Sequence, residues 1–338
     1  MKNRIDSSRQ KTPWDNVNDL TITQKFIKDK YKENYGFKHP KLVETNEYVI
    51  INSVKITKCR YCNSEFIVKR GFTQNKIQRY YCKNCKKKFT PTTNTIFDNH
   101  KISITEWIEF LLKLFNYSST NLTSKMNKNG INTSIYWLNK TFLVLREYQK
   151  NIVLTGKVYI DETFYKELKS NIKTIDGKQP RGLSKNQYCI GLGCDSKNII
   201  AIFEGLGKTS SDRTKEAFIT HIDSNSTLIH DEEKSHQVLI DELNLVNISY
   251  NSNDLKKLDD KDNPLRKINH QCDLLKQFLN AHSGFDRGDL QDYLNLYCFI
   301  NGGHKNRLEK VNELLELALS TNTTLRYRDL FNKEKEDS

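Results

Sequence analysis

Two pairs of cysteines constrain the fold of this chain more than any other feature. Cys59 and Cys62 form one CxxC pair, Cys82 and Cys85 form the second, and nineteen residues separate the pairs. Two intervening residues let both thiolates of a turn reach one ion, and two such turns complete a tetrahedron with metal–sulfur distances of about 2.3 Å. A redox pair or unligated thiols are the alternatives. The spacing predicts structural zinc, whose binding should be coupled to folding because so small a unit buries little core.

The other four cysteines stand singly in apolar segments: Cys189, Cys194, Cys272 and Cys298. This pattern predicts reduced, buried thiols, which suit a reducing cytosol better than a secreted disulfide framework. No apolar run is long enough to cross a bilayer, and the first residues, MKNRIDSSRQ, are charged where a signal peptide would be apolar. We therefore expect a cytoplasmic protein without a membrane partner.

The positive charge of the chain is concentrated around the cysteine pairs. Residues 51–90 hold eleven Lys or Arg and one acid, Glu65, and so carry +10 of the formal net charge of +13. A solvated surface patch is the alternative, but the coincidence with the cysteines favours contact with DNA phosphates. Tyr61, Tyr80 and Tyr81 can stack or pack there. The candidate DNA contacts in this segment are Lys58, Arg60, Lys69, Arg70, Arg79, Lys83, Lys86, Lys87 and Lys88.

Helical spacing begins near Ile104. One helix carries its apolar face from Trp107 to Phe115, a second fits residues 119–126, and a third begins near Asn132 after an NKNG turn. The order helix, glycine-containing turn, helix predicts a helix-turn-helix, although any three-helix bundle gives the same pattern. The candidate DNA contacts on the last helix are Lys140 and Arg146.

After Gly156 the pattern alternates between strand and helix. Four short segments rich in β-branched or aromatic residues predict strands, and these are KVYIDETFY, YCIGLGCD, IIAIFEGL and STLIHDEE. Helical spacing is present in DRTKEAFITHI, in INHQCDLLKQFLNAHS and in residues 305–319, where the apolar face contains Leu308, Val311, Leu315 and Leu319. Three strands in succession, followed by helix, strand and helix, predict an α/β domain with a mixed sheet flanked by helices.

Two aspartates stand at the ends of predicted strands: Asp161 after VYI and Asp231 after LIH. A lone aspartate there is usually a turn or cap residue. Two of them in one α/β domain, behind a nucleic-acid-binding module, can share hard cations such as magnesium. Two ions about 3.5–4 Å apart can activate a nucleophile and stabilise the leaving oxygen of a phosphodiester. By strand alternation, Glu162 and Glu232 should point to the other face of the sheet.

Asn269 and Lys276 lie seven residues apart in the predicted helix INHQCDLLKQFL. This spacing is almost two turns, so both side chains share one helix face about 10.5 Å apart along the axis. The amide oxygen of Asn269 can complete a metal shell while Lys276 meets a phosphate. The alternative is a helix N-cap at Asn269 and a solvated lysine.

Several of these motifs together resemble the ISXO-type insertion-sequence transposases. The resemblance rests on the CxxC pairs, the YIDE and LIHDE strands, RGLSKNQYCI, and NHQCDLLKQFL followed by HSGFDRGDLQDYLNLYCFI, and it covers residues from about 55 to 330. It implies a zinc ribbon, a helical DNA-binding segment and a ribonuclease-H-like core. In that family the third acid is Glu in some branches and Asn in others, with Lys seven positions on, which matches Asp161, Asp231, Asn269 and Lys276.

The composition along the chain and the resemblance together predict a domain order, and the resemblance implies a function. Residues 1–50 form a polar segment without an assigned role, 51–95 the zinc ribbon, 96–155 the helical segment, 156–330 the catalytic domain and 331–338 a charged tail. We expect a transposase that uses zinc structurally and magnesium or manganese catalytically, with double-stranded DNA and further copies of itself as partners. Its place would be the bacterial nucleoid, or the nucleus of a eukaryotic host. The alternatives are an inactive zinc-ribbon DNA-binding protein and a hydrolytic nuclease of the same fold without strand transfer.

Overall fold

A computed structural model describes residues 16–38, 46–100, 103–174, 177–178, 184–303 and 305–331. Residues 332–338 of the predicted charged tail lie outside the described residues, as do Arg181, Gly182 and Leu183 of the RGLSKNQYCI motif. The described chain divides into two compact units. The first combines the residues up to Val144 with those from Arg307 onward, and the second is Leu145–Asn306.

The helices and strands of the described residues are as follows in chain order. The helices are α1 (Ile22–Lys38), α2 (Glu47–Ser53), α3 (Ile104–Leu114), α4 (Thr120–Asn127), α5 (Ile131–Leu145), α6 (Ser211–Phe218), α7 (Gln237–Leu243), α8 (Ser252–Leu255), α9 (Arg266–Ala281), α10 (Leu290–Asn301), α11 (Arg307–Ser320) and α12 (Tyr327–Phe331). The strands are β1 (Ile67–Phe72), β2 (Gln78–Cys82), β3 (Lys88–Phe89), β4 (Lys157–Lys166), β5 (Gln187–Cys194), β6 (Ile199–Leu206), β7 (Thr227–Asp231) and β8 (Val246–Tyr250).

The first unit contains a small sheet, in which β1, β2 and β3 pair antiparallel in sequence order. Its core consists of the buried residues Cys59, Tyr80, Cys82 and Phe89. Tyr80 and Phe89 stack with their ring centroids 5.5 Å apart. Most of β1 is exposed, so the sheet encloses little apolar volume besides this cluster. A three-stranded sheet with so small a core depends on a further stabilising element such as a metal ion.

The three predicted helices of the first unit are present as α3, α4 and α5. Ser103 caps α3 by accepting from the backbone N–H of Glu106, and Ser119 caps α4 by accepting from that of Leu122. Lys128, in the left-handed region with φ of 56°, ends α4 at the NKNG turn. The predicted apolar face of α3 is buried at Trp107, Phe110, Leu111, Leu114 and Phe115.

The C-terminal helix α11 also belongs to the first unit, because it packs against α3. Residues 307–330 therefore lie with the N-terminal part of the chain, whereas the sequence grouped them with the catalytic domain. The buried face of α11 includes Val311, Leu314 and Leu319. The prediction that Leu308 shares this face is wrong, since its side chain is 68% exposed.

The second unit is built on a five-stranded sheet in the order β6-β5-β4-β7-β8. The strands β4, β5 and β6 pair antiparallel, while β4, β7 and β8 are parallel to one another. This strand order and these directions are those of the ribonuclease-H-like fold, so the predicted fold class is confirmed. The strand β8 was not predicted, because four of its five residues are exposed and it lacks an apolar pattern.

Helices cover both faces of this sheet. On one face α6 and α7 pack on β4 through a core that contains Val158, Ile160, Phe218 and Leu239. A Cβ at Gly191 of β5 would lie 2.7 Å from the ring of Phe218, so glycine there lets α6 approach the sheet closely. On the other face α9 packs on β4 and β5, and α10 packs on β6. The cysteines predicted to be reduced and buried are free and buried, as expected: Cys189, Cys194, Cys272 and Cys298.

None of the helices among the described residues is both long enough and apolar enough to span a bilayer.

Candidate metal-binding ribbon and candidate active site

The four cysteines of the small sheet lie on two turns with matching geometry. In the first turn the N–H of Asn63 donates to the carbonyl of Cys59 at 3.0 Å, and in the second the N–H of Lys86 donates to that of Cys82 at 3.0 Å. Asn63 and Lys86 both have a positive φ, of 57° and 60°. Each turn also directs a backbone N–H at its first thiol over 3.4 Å. Both turns thus present sulfur atoms in the same way.

The sulfur positions fit a tetrahedral metal ion. The Sγ atoms of Cys59 and Cys85 are 3.6 Å apart, those of Cys62 and Cys82 are 3.7 Å apart, and all four lie within 4.8 Å of one another. Four sulfurs about 2.3 Å from a central zinc would be about 3.8 Å apart. Burial raises the pKa of Cys82, but N–H groups of Cys85 and Asn84 outweigh it and lower that pKa to about 6. This favours the thiolate at Cys82. A backbone N–H lowers the pKa of Cys85, but burial and the neighbouring thiols outweigh it and raise that pKa to about 12, so the four sulfurs do not all ionise readily without a metal ion.

Most of the basic residues predicted to contact DNA surround this ribbon with exposed side chains. The guanidinium of Arg70 lies 5.3 Å from the ring centre of Tyr81, and the ammonium of Lys87 lies 4.8 Å from that of Tyr61. Lys58 forms an exposed ion pair of 3.5 Å with Glu65. The exposed set is Lys58, Lys69, Arg70, Arg79, Lys83, Lys86, Lys87 and Lys88.

Three of the predicted DNA contacts have other partners. Arg60 donates to the carbonyls of Leu319 and Ser320 at the end of α11, where a cation satisfies unpaired helix carbonyls. Lys140 is only 7% exposed, donates to the carbonyl of Ile96 and lies over a tyrosine ring. The prediction for Lys140 is therefore corrected, because a buried and hydrogen-bonded ammonium cannot reach a phosphate. Arg146, in the second unit, forms an ion pair of 3.5 Å with Asp292.

The two predicted catalytic aspartates lie on adjacent parallel strands. The register pairs Lys157 with Thr227 and Tyr159 with Ile229, a constant offset of seventy residues. The same offset brings Asp161 of β4 beside Asp231, the last residue of β7. Tyr159 and Asp161 are two residues apart on β4, so their side chains leave the sheet on the same face. Both aspartates border one cleft.

The electrostatics of Asp161 show that carboxylates are crowded at this position. Burial raises the pKa of Asp161 to about 7, and the negative charges of Asp231 and Glu162 act in the same direction. The N–H of Glu162 donates to Asp161 Oδ1 at 2.9 Å and opposes the shift only in part. A buried carboxyl group beside a second carboxylate offers oxygen ligands for a hard cation, whose positive charge would favour the ionised form of Asp161.

The helix α9 brings Asn269 to the same cleft. This helix begins at Arg266 after Leu265, and the N–H of Asn269 already donates to the carbonyl of Leu265. Asn269 is consequently a residue of the first helical turns, and the N-cap alternative is excluded. One turn later, the thiol of Cys272 lies 3.8 Å from Asp161 Oδ2. The face of α9 that carries Asn269 is therefore the face that contacts β4.

Lys276 does not border this cleft. Its ammonium is 4.0 Å from Asp273 on the solvent side of α9, and the side chain is about half exposed. The residues that do border the cleft are Asp161, Asp231, Ser252, Leu255, Lys256, Asn263, Leu265 and Asn269. The donor set of two carboxylates and an amide oxygen fits magnesium or manganese, which prefer oxygen ligands. Three of the four predicted catalytic residues, Asp161, Asp231 and Asn269, thus border one cleft.

A buried polar chain links β4, β7 and β8 through residues that the sequence had not singled out, apart from Glu162. Glu162 accepts from His236 at 3.0 Å, His236 meets His230 at 2.9 Å, and His230 meets the amide oxygen of Asn247 at 3.1 Å. The side chain of Glu162 thus leaves the cleft, as strand alternation predicted. Burial lowers the pKa of His236, but the Glu162 carboxylate outweighs burial and raises it. His230 stands in the LIHDE motif and His236 in none, and the sequence assigned a role to neither histidine.

A sequence comparison links this chain to a mobile element. Over 132 residues the chain is 30% identical to a protein of Halobacterium salinarum described as an uncharacterized protein in transposable element ISH50. The chain is related to a protein of a transposable element. This confirms the relationship that the motifs indicated. The match covers 37% of this chain and 42% of that protein, so the chain spans less than half of its relative.

Other comparisons add little to this relationship. No protein-family model matches the chain. Structures of Mos1 mariner transposase show a weak similarity. The match to the paired end complex with Mn has a TM-score of 0.29 at 12% identity and covers 63% of this chain and 73% of the Mos1 chain. The match to the catalytic domain has a TM-score of 0.24 at 14% identity and covers 56% of this chain and 93% of the Mos1 chain. Scores of this size do not bear on the fold, which follows from strand order and register.

Proposed function

We propose that the protein is an insertion-sequence transposase. It binds the terminal inverted repeats of its element, cleaves there to expose 3′ hydroxyls, and joins these to target DNA. The observation that carries the proposal is the convergence of Asp161, Asp231 and Asn269 on one cleft of a ribonuclease-H-like sheet. The relationship to a protein of a transposable element supports it.

Each residue of the cleft has a distinct part in this proposal. Asp161 and Asp231 hold divalent ions between two strands, and Asn269 adds an amide oxygen from α9. When bound, these ions supply Lewis acidity at the phosphodiester and favour deprotonation of the attacking water or 3′ hydroxyl. Asn269 brings one negative charge fewer than a glutamate would, so metal binding depends more heavily on the two aspartates. Lys276, outside the cleft, positions a phosphate farther along the DNA.

The first unit serves recognition in this proposal. Zinc held by Cys59, Cys62, Cys82 and Cys85 folds the ribbon, and the exposed basic residues around it contact DNA phosphates. Residues 51–95 act as the zinc ribbon and α3–α5 as the helical DNA-binding segment. The protein assembles as a homo-oligomer on the two ends of its element.

The decisive experiment separates binding from chemistry. Asp161→Ala and Asp231→Ala should each abolish manganese-dependent cleavage of a labelled inverted-repeat end without weakening binding to that end. Asp241→Ala, which removes an exposed acid of α7, is the matched control and should cleave like the wild type. Asn269→Ala should cleave far more slowly, whereas Asn269→Asp should retain activity because it restores an oxygen ligand.

Two other outcomes would favour the alternatives. A wild-type protein that binds the ends but never cleaves them would be an inactive zinc-ribbon DNA-binding protein. Cleavage without joined products in the presence of target DNA would indicate a hydrolytic nuclease. Cleavage that survives either alanine substitution would contradict the proposed site altogether.

A further inference from the structure

One lysine stands among the residues that border the cleft. Lys256 is exposed and borders the same cleft as Asp161, Asp231 and Asn269, and no other basic residue of the described chain borders it. It lies just after α8, in the segment between β8 and α9. Nothing in the sequence marked this lysine, which stands in the unremarkable run NDLKKLDDKD.

The segment that carries Lys256 is tied to the strand that carries Asp231. In the sheet Asp231 pairs with Tyr250, and the amide of Asn251 donates to Glu232 at 2.7 Å. The side chain of Asn251 also caps α8 by accepting from Asn253 N–H. The N–H of Lys256 then donates to the carbonyl of Ser252 at 3.3 Å. The backbone of Lys256 is therefore held at a fixed place relative to Asp231.

The other end of the segment is tied to the helix that carries Asn269. Asn263 accepts from the N–H of Leu265 at 2.8 Å through its side chain, and its carbonyl accepts from the N–H of Arg266 at 3.0 Å. Leu265 is buried, with 3% exposure, and its carbonyl accepts from Asn269. The segment from Asn251 to Leu265 thus forms one wall of the cleft, and both ends of this wall adjoin candidate metal ligands.

The nearby lysines differ from Lys256 in their partners. Lys257 forms an ion pair of 2.8 Å with Asp254, and Lys276 is 4.0 Å from Asp273. No ion pair joins Lys256 to an acid of the described residues. An exposed lysine that borders a cleft with two carboxylates and pairs with neither is placed for an anion that enters the cleft. A phosphate of the DNA backbone is such an anion, since lysine contacts phosphate as a point charge.

We propose that Lys256 is a DNA-positioning residue that contacts a non-bridging oxygen of the phosphate at, or next to, the scissile bond. This inference rests on the proposed function of the cleft. The contact holds one strand against the wall while Asp161, Asp231 and Asn269 face the same phosphodiester. It acts through orientation, where small displacements of the reacting groups have large effects on rate.

Binding tests this inference without requiring activity. The probe is a synthetic duplex containing the inverted repeat that flanks the gene, and affinity is measured against salt without added magnesium or manganese. Lys256→Ala and Lys256→Gln should each reduce the slope of log affinity against log salt by about one, the effect of losing one phosphate contact. Lys257→Ala is the matched control and should leave the slope unchanged. Circular dichroism of all variants checks that they are folded.

Replacing single phosphates by an uncharged group identifies which phosphate Lys256 contacts. In a series of duplexes, a single methylphosphonate replaces one phosphate at a time around the cleavage position. At the contacted phosphate, Lys256→Ala should cause no further loss of affinity, whereas the loss should persist at the other positions. With manganese and saturating DNA, cleavage by Lys256→Ala should be at least about tenfold slower than by Lys257→Ala.

Two results would overturn the inference. One is a Lys256→Ala variant whose salt slope and cleavage rate equal those of Lys257→Ala. The other is a loss of affinity that adds to that of the methylphosphonate at every position. If the wild type never cleaves DNA, the proposed function fails, but the binding measurements still decide whether Lys256 contacts a phosphate.

Discussion

Replacing Asp161 by asparagine should stabilise the second unit (Leu145–Asn306) at pH 8 in the absence of added magnesium or manganese, although it removes a proposed metal ligand. Burial, together with the charges of Asp231 and Glu162, raises the pKa of Asp161 from 3.8 to about 7. The folded state therefore disfavours the ionised carboxylate. Asparagine has nearly the same shape and never ionises, so it escapes this penalty.

The size and sign of the effect follow from the pKa. Well below pH 3.8 the carboxyl group is neutral in the folded and unfolded states, and ionisation does not affect stability. As the pH rises from about 4 to 7 the unfolded state ionises first, so the stability of the wild type falls. Above pH 7 the full penalty for a shift of about three pKa units is about 4 kcal/mol. Since Asp161 keeps some contact with water, we expect Asp161→Asn to gain about 2–4 kcal/mol at pH 8.

Hydrogen exchange measured by mass spectrometry can follow the second unit separately from the first. Peptides from β4 and β7 report its opening free energy at pH 8 and pH 5.5, in zinc-containing buffer without other divalent ions. Trp107 and Trp137 belong to the first unit, so their fluorescence follows that unit and should not change. Asp241→Asn, at an exposed acid, is the matched control.

Manganese should reverse the order of stability. It should stabilise the wild type in proportion to its binding and leave Asp161→Asn nearly unaffected, because ligands stabilise only the state that binds them. The reasoning is refuted if Asp161→Asn is less stable than the wild type at pH 8, or if the difference does not shrink on acidification. Either result would mean that folding does not raise the pKa of Asp161.

Other perturbations test the remaining assignments. Metal analysis should find one zinc ion per chain in the wild type and none in Cys82→Ser, whose ribbon should unfold and whose DNA binding should weaken; no zinc in the wild type, or unchanged zinc in the variant, would remove this assignment. Joint replacement of Lys86–Lys88 by alanine should flatten the salt dependence of DNA binding, and an unchanged slope would place the DNA surface elsewhere. Lys140→Ala should lower the melting temperature of the first unit because it leaves the carbonyl of Ile96 unpaired, and a loss of DNA affinity without destabilisation would contradict its structural role. Glu162→Gln should keep the manganese affinity of the wild type, whereas Glu162→Ala should weaken it if the buried polar chain fixes the spacing of the two strands; equal affinities would exclude that role.

Local signals in the sequence account for the features that depend on neighbouring residues. The CxxC spacing by itself predicts the four-sulfur cluster, because each turn places its two thiols without help from distant segments. Each of the helix caps at Ser103 and Ser119 depends on one side chain that accepts from a backbone N–H three residues later. The strands β4 to β7 were predicted because their apolar residues are buried on a sheet, whereas the exposed edge strand β8 gave no such signal.

The candidate site depended on pairings that no local pattern specifies. Asp161 and Asp231 are seventy residues apart, and only the parallel register of β4 with β7 brings them together. The sequence singled out Lys276 and not Lys256, because spacing along a helix is visible in a sequence. The wall between β8 and α9 that carries Lys256 forms only when both of its ends are anchored. Burial was equally hidden at Lys140, since the charge of a side chain does not reveal what packs around it. Residue types and turns are local properties, while strand register and burial arise from contacts between distant segments, which is why the tertiary structure alone decided them.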